Sequence, residues 1–188
     1  MFDIPILYIN LDHRTDRRKH MEEILNGYNY TRISAVKDDI NGYIGCAKSH
    51  IKCLQYAKSM NYDKVVILED DFMFFRDNNF NDIILPEVYD ILLLCNIIKG
   101  AIEHDDIFNK VSYAEWTSGH IVKKHMYDIL IDNLQDGINH LSQDNNRNYY
   151  LDVYWNNVLV QFETLAHKKR FARQKQSYSD IKRCFIKR

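Results

Sequence analysis

The segment Lys64-Val65-Val66-Ile67-Leu68-Glu69-Asp70-Asp71 constrains this chain more than any other. Four consecutive apolar residues read as a strand covered on both faces, and such strands belong to parallel sheets packed between helices. Three carboxylates follow without interruption. Like charges so close together repel unless a cation stands among them, and in open α/β sheets the carboxyl edge of the strands is where ligands bind. In extended backbone Glu69 and Asp71 face one side and Asp70 the other, so the first two are placed to share a divalent ion. Oxygen ligands suit Mg²⁺ or Mn²⁺, which bridge to phosphates. The plainer reading is a solvated strand end leading into a loop.

The segments around this one repeat the α/β alternation. Residues 4–10 form a short apolar run and predict a buried strand, with Pro5 near its start. Residues 15–26 carry Met21, Ile24 and Leu25 at helical spacing, with Gly27 as the stop. A second strand fits residues 31–36. Gly42 then opens a helix over 43–59, in which Tyr43, Ile44, Cys46, Ala47, His50, Ile51, Cys53, Leu54 and Ala57 share one half of the wheel. Residues 91–95 repeat the strand pattern, 121–134 read as a helix, and 149–162 are aromatic-rich without a clear period. Residues 77–82 and 142–148 are polar loops. Strand and helix alternate through the first 70 residues, which builds βαβ units and a mainly parallel central sheet flanked by helices. At 188 residues the chain predicts a single α/β domain spanning 1–188.

Charge excludes some partners and suggests others. The formal net charge is -1, which gives no electrostatic reason to expect a nucleic-acid or membrane-surface binder. Residues 168–188 nevertheless hold nine of the 25 Lys and Arg against one acid, Asp180, while the first 167 carry 16 basic and 25 acidic side chains. A basic C-terminal segment on an acidic body can fold back on it, hold an anion, or remain a solvated run. The N-terminus shows no signal peptide and no stretch is long and apolar enough for a transmembrane helix. Cys46, Cys53, Cys95 and Cys184 form no CxxC pair, which argues against a zinc site or redox dithiol. Reduced thiols in a cytoplasmic setting are expected.

Further candidates lie outside the acidic run. Arg14, Arg17 and Arg18 crowd the start of the first helix, where the macrodipole disfavours cations and a bound phosphate would relieve the conflict. Pairing with Asp12 and Asp16 would do the same. His50 and Ser49 lie on the apolar side of the second helix and read as core residues on their own. His120, His125 and His167 are further imidazoles, one of which would complete a metal site. Asp152 stands in Leu151-Asp152-Val153-Tyr154-Trp155, where apolar surroundings would raise its pKa and suit it to act as a base. The alternative is a partly buried acid that caps a helix.

Together these pieces resemble glycosyltransferase family 25, which includes lipopolysaccharide-modifying and collagen hydroxylysine galactosyltransferases. The resemblance runs through Ile9-Asn10-Leu11, Arg14-Thr15-Asp16-Arg17-Arg18, Gly42-Tyr43-Ile44-Gly45-Cys46-Ala47-Lys48-Ser49-His50 and Val66-Ile67-Leu68-Glu69-Asp70-Asp71. Fainter echoes follow at Leu151-Asp152 and at Ser177-Tyr178-Ser179-Asp180-Ile181. It implies a GT-A-like fold, a UDP-sugar donor and inversion at the anomeric carbon, with galactose or glucose moved to a glycan or a hydroxylysine-type protein acceptor. Asn10, Leu11, Arg14 and Arg17 would lie by the nucleotide, and Glu69 to Asp71 would stand for the DxD motif. Asp71 would be the main Mn²⁺ (or Mg²⁺) ligand, joined by Glu69 and by His167. Ser49 and His50 would support the acidic strand end, and Asp152, with Glu115 behind it, would be the base. The shortness of the chain fits a minimal catalytic domain of viral or bacterial source.

Residues 72–115 depart from the family pattern in being short and polar, with Lys99-Gly100 and Glu103-His104-Asp105-Asp106 where aromatic and glycine-rich acceptor loops are expected. A degenerate member that binds a sugar or partner without turnover is therefore the alternative. A phosphoryl-transfer or hydrolytic enzyme would use the same acids and arginines but leaves Gly-Cys-x-x-Ser-His unexplained.

Overall fold

The alternation forms as its hydrophobic pattern requires: β1 (Ile6–Asn10), α1 (Thr15–Ile24), β2 (Tyr30–Ser34), α2 (Gly42–Ser59) and β3 (Lys64–Glu69). The computed structural model describes residues 2–181 and 184–186. It continues through β4 (Phe72–Phe74), β5 (Ile91–Glu103), β6 (Phe108–Lys123), α3 (Tyr127–Gln143), α4 (Leu151–Tyr154), α5 (Asn156–Leu159), β7 (Thr164–His167), β8 (Ala172–Gln174), β9 (Ser177–Ser179) and β10 (Cys184–Ile186). Six strands make the central sheet in the order β2-β1-β3-β6-β5-β7. β1 pairs in parallel with both β2 and β3, and α1 and α2 supply the crossovers those pairings need. β6 runs against β3, β5 and β7, while β5 and β7 are parallel, so β6 alone opposes the direction of the other five.

Two cores cover the sheet, and the strand period decides which side chain enters which. Val65 and Ile67 of β3 join the core built with α2 and α3, whereas Val66 and Leu68 join the core on the α1 side. All four are fully buried, and each contributes about 1.5–3 kcal/mol of apolar transfer energy. The same alternation carries Glu69 to the α2 side. After Glu69 the chain turns, so the acids are not all laid out along one extended strand.

α2 begins where Asn41 accepts a hydrogen bond from the Tyr43 amide at 3.0 Å. Its first turn lies against the loop that leaves β2. A Cβ on Gly45 would stand 2.6 Å from the Val36 carbonyl oxygen and 3.1 Å from the Asp38 amide nitrogen. Backbone on both sides of that contact has nowhere to go. Gly45→Ala is therefore expected to destabilise the fold by about 1–3 kcal/mol, as overpacking does. Thermal unfolding would measure it, and an unchanged midpoint would contradict the close approach.

Three stretches differ from the sequence expectation. Residues 121–123 finish β6 and do not begin a helix, because β-branched Ile121 and Val122 fill the sheet on both faces, and α3 takes its apolar stripe from Tyr127, Leu130, Leu134, Ile138 and Leu141. The run at 91–95 extends into a long β5–β6 hairpin that reaches Glu103, with register shifts between Leu93 and Ala101. The aromatic-rich segment becomes two single-turn helices that bury Leu151, Trp155, Val158 and Leu159.

The C-terminal segment does return to the acidic body. β8 pairs antiparallel with β4, and the Lys175 amide donates to the Asp71 carbonyl at 2.6 Å. Among its described cations, Lys168 pairs with Glu103 and Arg170 lies over the Phe75 ring. Lys182, Arg183, Lys187 and Arg188 lie outside the described residues. Among the described residues no helix is long and apolar enough to cross a membrane, and Cys46, Cys53, Cys95 and Cys184 are free thiols.

Candidate active site

A cavity of about 650 Å³ opens at the carboxyl ends of β1, β2 and β3. Its lining includes Ile9 to Leu11, the loop Ala35 to Asp39, Glu69 to Asp71, Trp116, Thr117, Leu151 and Asp152, and from the tail Gln174, Lys175, Ser177 and Ser179 to Ile181. The first turns of α2 contribute Tyr43, Cys46 and Ser49.

The three acids have separate surroundings. Glu69 is gripped from the α2 side: Thr117 Oγ1 donates to Oε1 at 2.6 Å, Ser118 Oγ to Oε2 at 3.0 Å, and His50 Nε2 stands 3.3 Å from Oε1. Burial raises this carboxyl, but the hydrogen bond and charge of His50, with the two hydroxyls, outweigh it and hold the group below its ordinary value. Behind His50, the His120 ring is stacked at 5.8 Å, and burial pushes its pKa down to about 3, with the His50 charge adding to the effect. Asp70 points to the α1 side, where Arg17 Nη1 donates to it at 2.5 Å and Asn10 Nδ2 at 2.8 Å. Burial still raises the Asp70 carboxyl above its usual value. Asp71 also faces Arg17, at 3.8 Å. The sequence expectation paired Glu69 with Asp71; both line the cavity, with Glu69 engaged by its hydroxyls and imidazole and Asp71 in the turn after β3, beside Arg17.

Asp152 enters the same cavity from α4. Burial raises its pKa, the Glu69 charge adds to that, and a hydrogen bond from the Trp116 amide opposes both. Trp116 holds φ at 65°, the left-handed region that a tryptophan adopts at a cost of order 1–3 kcal/mol. Its carbonyl accepts from Asn96 Nδ2, so its backbone is pinned on both sides. The strain sits where a cavity-lining residue meets a carboxylate of raised pKa, a combination associated with functional sites.

The tail closes one side through the first helix. Arg17 Nη2 donates to Ser177 Oγ at 2.6 Å and to the Tyr178 carbonyl at 3.0 Å. Arg14 grips Asp16 with two hydrogen bonds, at 2.9 and 2.8 Å, and also binds Asp180 and the Tyr178 carbonyl. Burial raises Asp180, but hydrogen bonds from His13 and Arg14 outweigh it and hold that carboxyl below its usual range.

The sequence model for Glycosyltransferase family 25 (LPS biosynthesis protein) matches residues 40–181, which include α2, the acids, Asp152 and the tail strap. The chain belongs to glycosyltransferase family 25. A search among curated proteins returned no match. Among solved structures, the fold is similar to a glycosyltransferase involved in the glycosylation of the major capsid of PBCV-1, with TM-score 0.62, 12% identity and 97% of each chain covered. It is also similar to A197 from STIV, with TM-score 0.51, 13% identity, 98% of this chain and 93% of that one covered. These likenesses extend the GT-A-like architecture over nearly the whole chain.

Within this family 25 glycosyltransferase, the structure gathers most of the residues singled out in the sequence. Asn10, Leu11, Arg17, Ser49, Glu69, Asp70, Asp71 and Asp152 line the cavity. Asn10 is a brace: its Nδ2 also donates to the Arg14 carbonyl, and its Oδ1 accepts from Arg32. Ser49 donates to the Gly45 carbonyl and accepts from the Val36 amide, which fixes the cavity wall. His50 is buried behind Glu69. Arg14 is turned to Asp16 and the tail and does not line the cavity. Glu115 also stays outside it, ion-paired with Lys99 at 2.7 Å and Arg147 at 3.0 Å. His167 is not brought to the acids; it packs against Phe108 and Phe171 at the end of β7, where burial lowers its pKa. Thr117, Ser118 and Gln174 were not foreseen. For Thr117 and Ser118 the signal lay in the small polar run after Trp116, which is legible only once 108–123 is known to be a strand, and Gln174 carried none.

Proposed function

We propose that this glycosyltransferase moves a galactose- or glucose-type sugar from a UDP-sugar to a hydroxyl of a glycan or hydroxylysine-type protein, with inversion and with dependence on Mn²⁺ or Mg²⁺. One observation carries the reading: a single cavity holds an acidic strand end on one wall and, in Asp152, a carboxylate of raised pKa on another. The donor set fits a hard divalent cation. Asp71, with Asp70 beside it, offers carboxylate oxygens inside the cavity, and Mg²⁺-type ions take one or two carboxylates and complete their shell with phosphate oxygens and water. Glu69 would shape this end and His167 would take no part. When bound, the metal would supply charge stabilisation to the departing diphosphate.

The chain's own residues do the rest. The β1 and β2 ends would receive the nucleoside, and Arg17, Lys37 and Lys175 give the cavity its cationic lining. Asp152, as the carboxylate, takes the proton of the acceptor hydroxyl while that oxygen bonds to the anomeric carbon. The bond from that carbon to the diphosphate oxygen breaks, and its electron pair leaves with UDP. The attack comes from the face opposite the leaving group, so the anomeric configuration inverts. Free thiols at all four cysteines support action in a reducing, cytoplasmic compartment.

Incubation with UDP-galactose or UDP-glucose and a panel of oligosaccharides and hydroxylysine peptides tests the reading. Proton NMR of the product should show the anomeric configuration opposite to the donor's. Retained configuration would remove the single-displacement mechanism, and a folded protein that transfers to nothing and binds no nucleotide would remove the whole reading.

A further inference from the structure

Gln174 ends β8 directly opposite Phe72, the residue after the acids, and it lines the cavity while only 7% exposed. Its amide is oriented by its neighbours. Glu69, as a carboxylate, only accepts hydrogen bonds. Ser118 Oγ spends its one proton on Glu69 Oε2 at 3.0 Å and is left with lone pairs. Gln174 Nε2 donates to that oxygen. The amide oxygen, Oε1, must therefore be the other end, and among the described residues this buried atom has no hydrogen-bond partner. Buried acceptors without a donor are rare and costly, and at a binding site they mark the place where a ligand or a fixed water brings one.

We infer that Gln174 reads a hydroxyl of the transferred sugar, accepting its hydrogen bond at Oε1. The inference rests on the UDP-sugar reading above and deepens it. A diphosphate has no proton to offer at neutral pH, and the uracil with its ribose would lie at the β1 and β2 ends. The hydroxyls of the transferred sugar are the donors left, and Gln174 is bonded to Ser118, two residues along β6 from Trp116, whose amide binds Asp152. The chain Gln174–Ser118–Glu69–His50 then ties sugar recognition to the helix that backs the acids. A site built around an acceptor of this kind rejects a sugar lacking the matching hydroxyl, because the acceptor would stay buried and unpaired.

Calorimetric titration with Mn²⁺ tests this, using UDP, UDP-galactose, UDP-glucose and their singly deoxygenated analogues. For the native protein, one deoxy analogue should bind roughly 10- to 100-fold more weakly than its parent, the others much less so. For Gln174→Met that analogue and its parent should bind equally. A flat panel with the native protein overturns the inference without any variant, as it would if a water fills the place. Retained discrimination by Gln174→Met overturns it too. If that variant loses the Mn²⁺ dependence of UDP binding, Oε1 serves the metal and the inference is likewise wrong. UDP separates the two levels: when UDP binds and the panel is flat, only the sugar contact falls, and when no UDP binds, the donor reading falls with it.

Discussion

Asp71→Asn is expected to abolish metal-dependent donor binding and to lower kcat/KM by about 10³-fold or more, since charge stabilisation of several kcal/mol is at stake and each 1.4 kcal/mol is a factor of ten. The expectation follows from how the three acids divide their work. Glu69 is held by Thr117, Ser118 and His50, and Asp70 by Arg17 and Asn10, while Asp71 lines the cavity beside Arg17, at 3.8 Å. Asparagine keeps the shape and one oxygen but removes the charge. The Asp71 backbone carbonyl, which accepts from the Lys175 amide, is unchanged by the substitution. Equal loss of donor binding with and without Mn²⁺ would show that Asp71 acts on the fold and not on the metal.

Asp152→Asn is expected to leave donor binding intact and to cut transfer by about 10²- to 10⁴-fold, the range that a positioned general base supplies. The pH dependence adds a second readout. Burial, with the Glu69 charge behind it, raises the folded pKa of Asp152, so its proton is held to higher pH than an ordinary aspartate would hold it. Base action is present above that raised value and is lost as pH falls through it. The acid limb of kcat for the native enzyme should therefore lie above the usual aspartate range, and it should vanish in Asp152→Asn, leaving a low rate without that limb. Normal transfer by the variant would exclude Asp152. Glu115 is the poorer base because Lys99 and Arg147 both pair with it and it stands outside the cavity.

Local periodicity made the front half of this molecule legible. The run Val65 to Leu68 announced a strand buried on both faces, and the same period of two assigns Glu69 to α2 and its predecessor Leu68 to the other core. The wheel of α2 placed His50 inward, although only tertiary contact shows that it faces Glu69. What stayed hidden depends on backbone that turns. β3 ends at Glu69, so Asp70 and Asp71 stand in the turn that follows it and not along an extended strand. Trp116 adopts a positive φ that no residue preference would suggest. The arginines of α1 divided between two tasks: Arg17 reaches the acids, and Arg14, one turn away, spends its donors on Asp16 and the tail. His167 shows the limit of choosing a ligand by residue type, since β7 lies at the far edge of the sheet from β1. The basic tail illustrates the reverse case, in which a charge block suggested contact with the body and the contact is made largely by β8 pairing and by Asp180, an acid.

A nucleotide held at an acidic strand end through a divalent cation is the central requirement of the proposed reaction. Calorimetric titration of UDP into the native protein, with and without Mn²⁺, tests that directly. Binding that is tight with Mn²⁺ and at least tenfold weaker without it, and a loss of that difference in Asp71→Asn, is the predicted result. UDP binding indifferent to Mn²⁺, or no binding by a protein that is demonstrably folded, would contradict it.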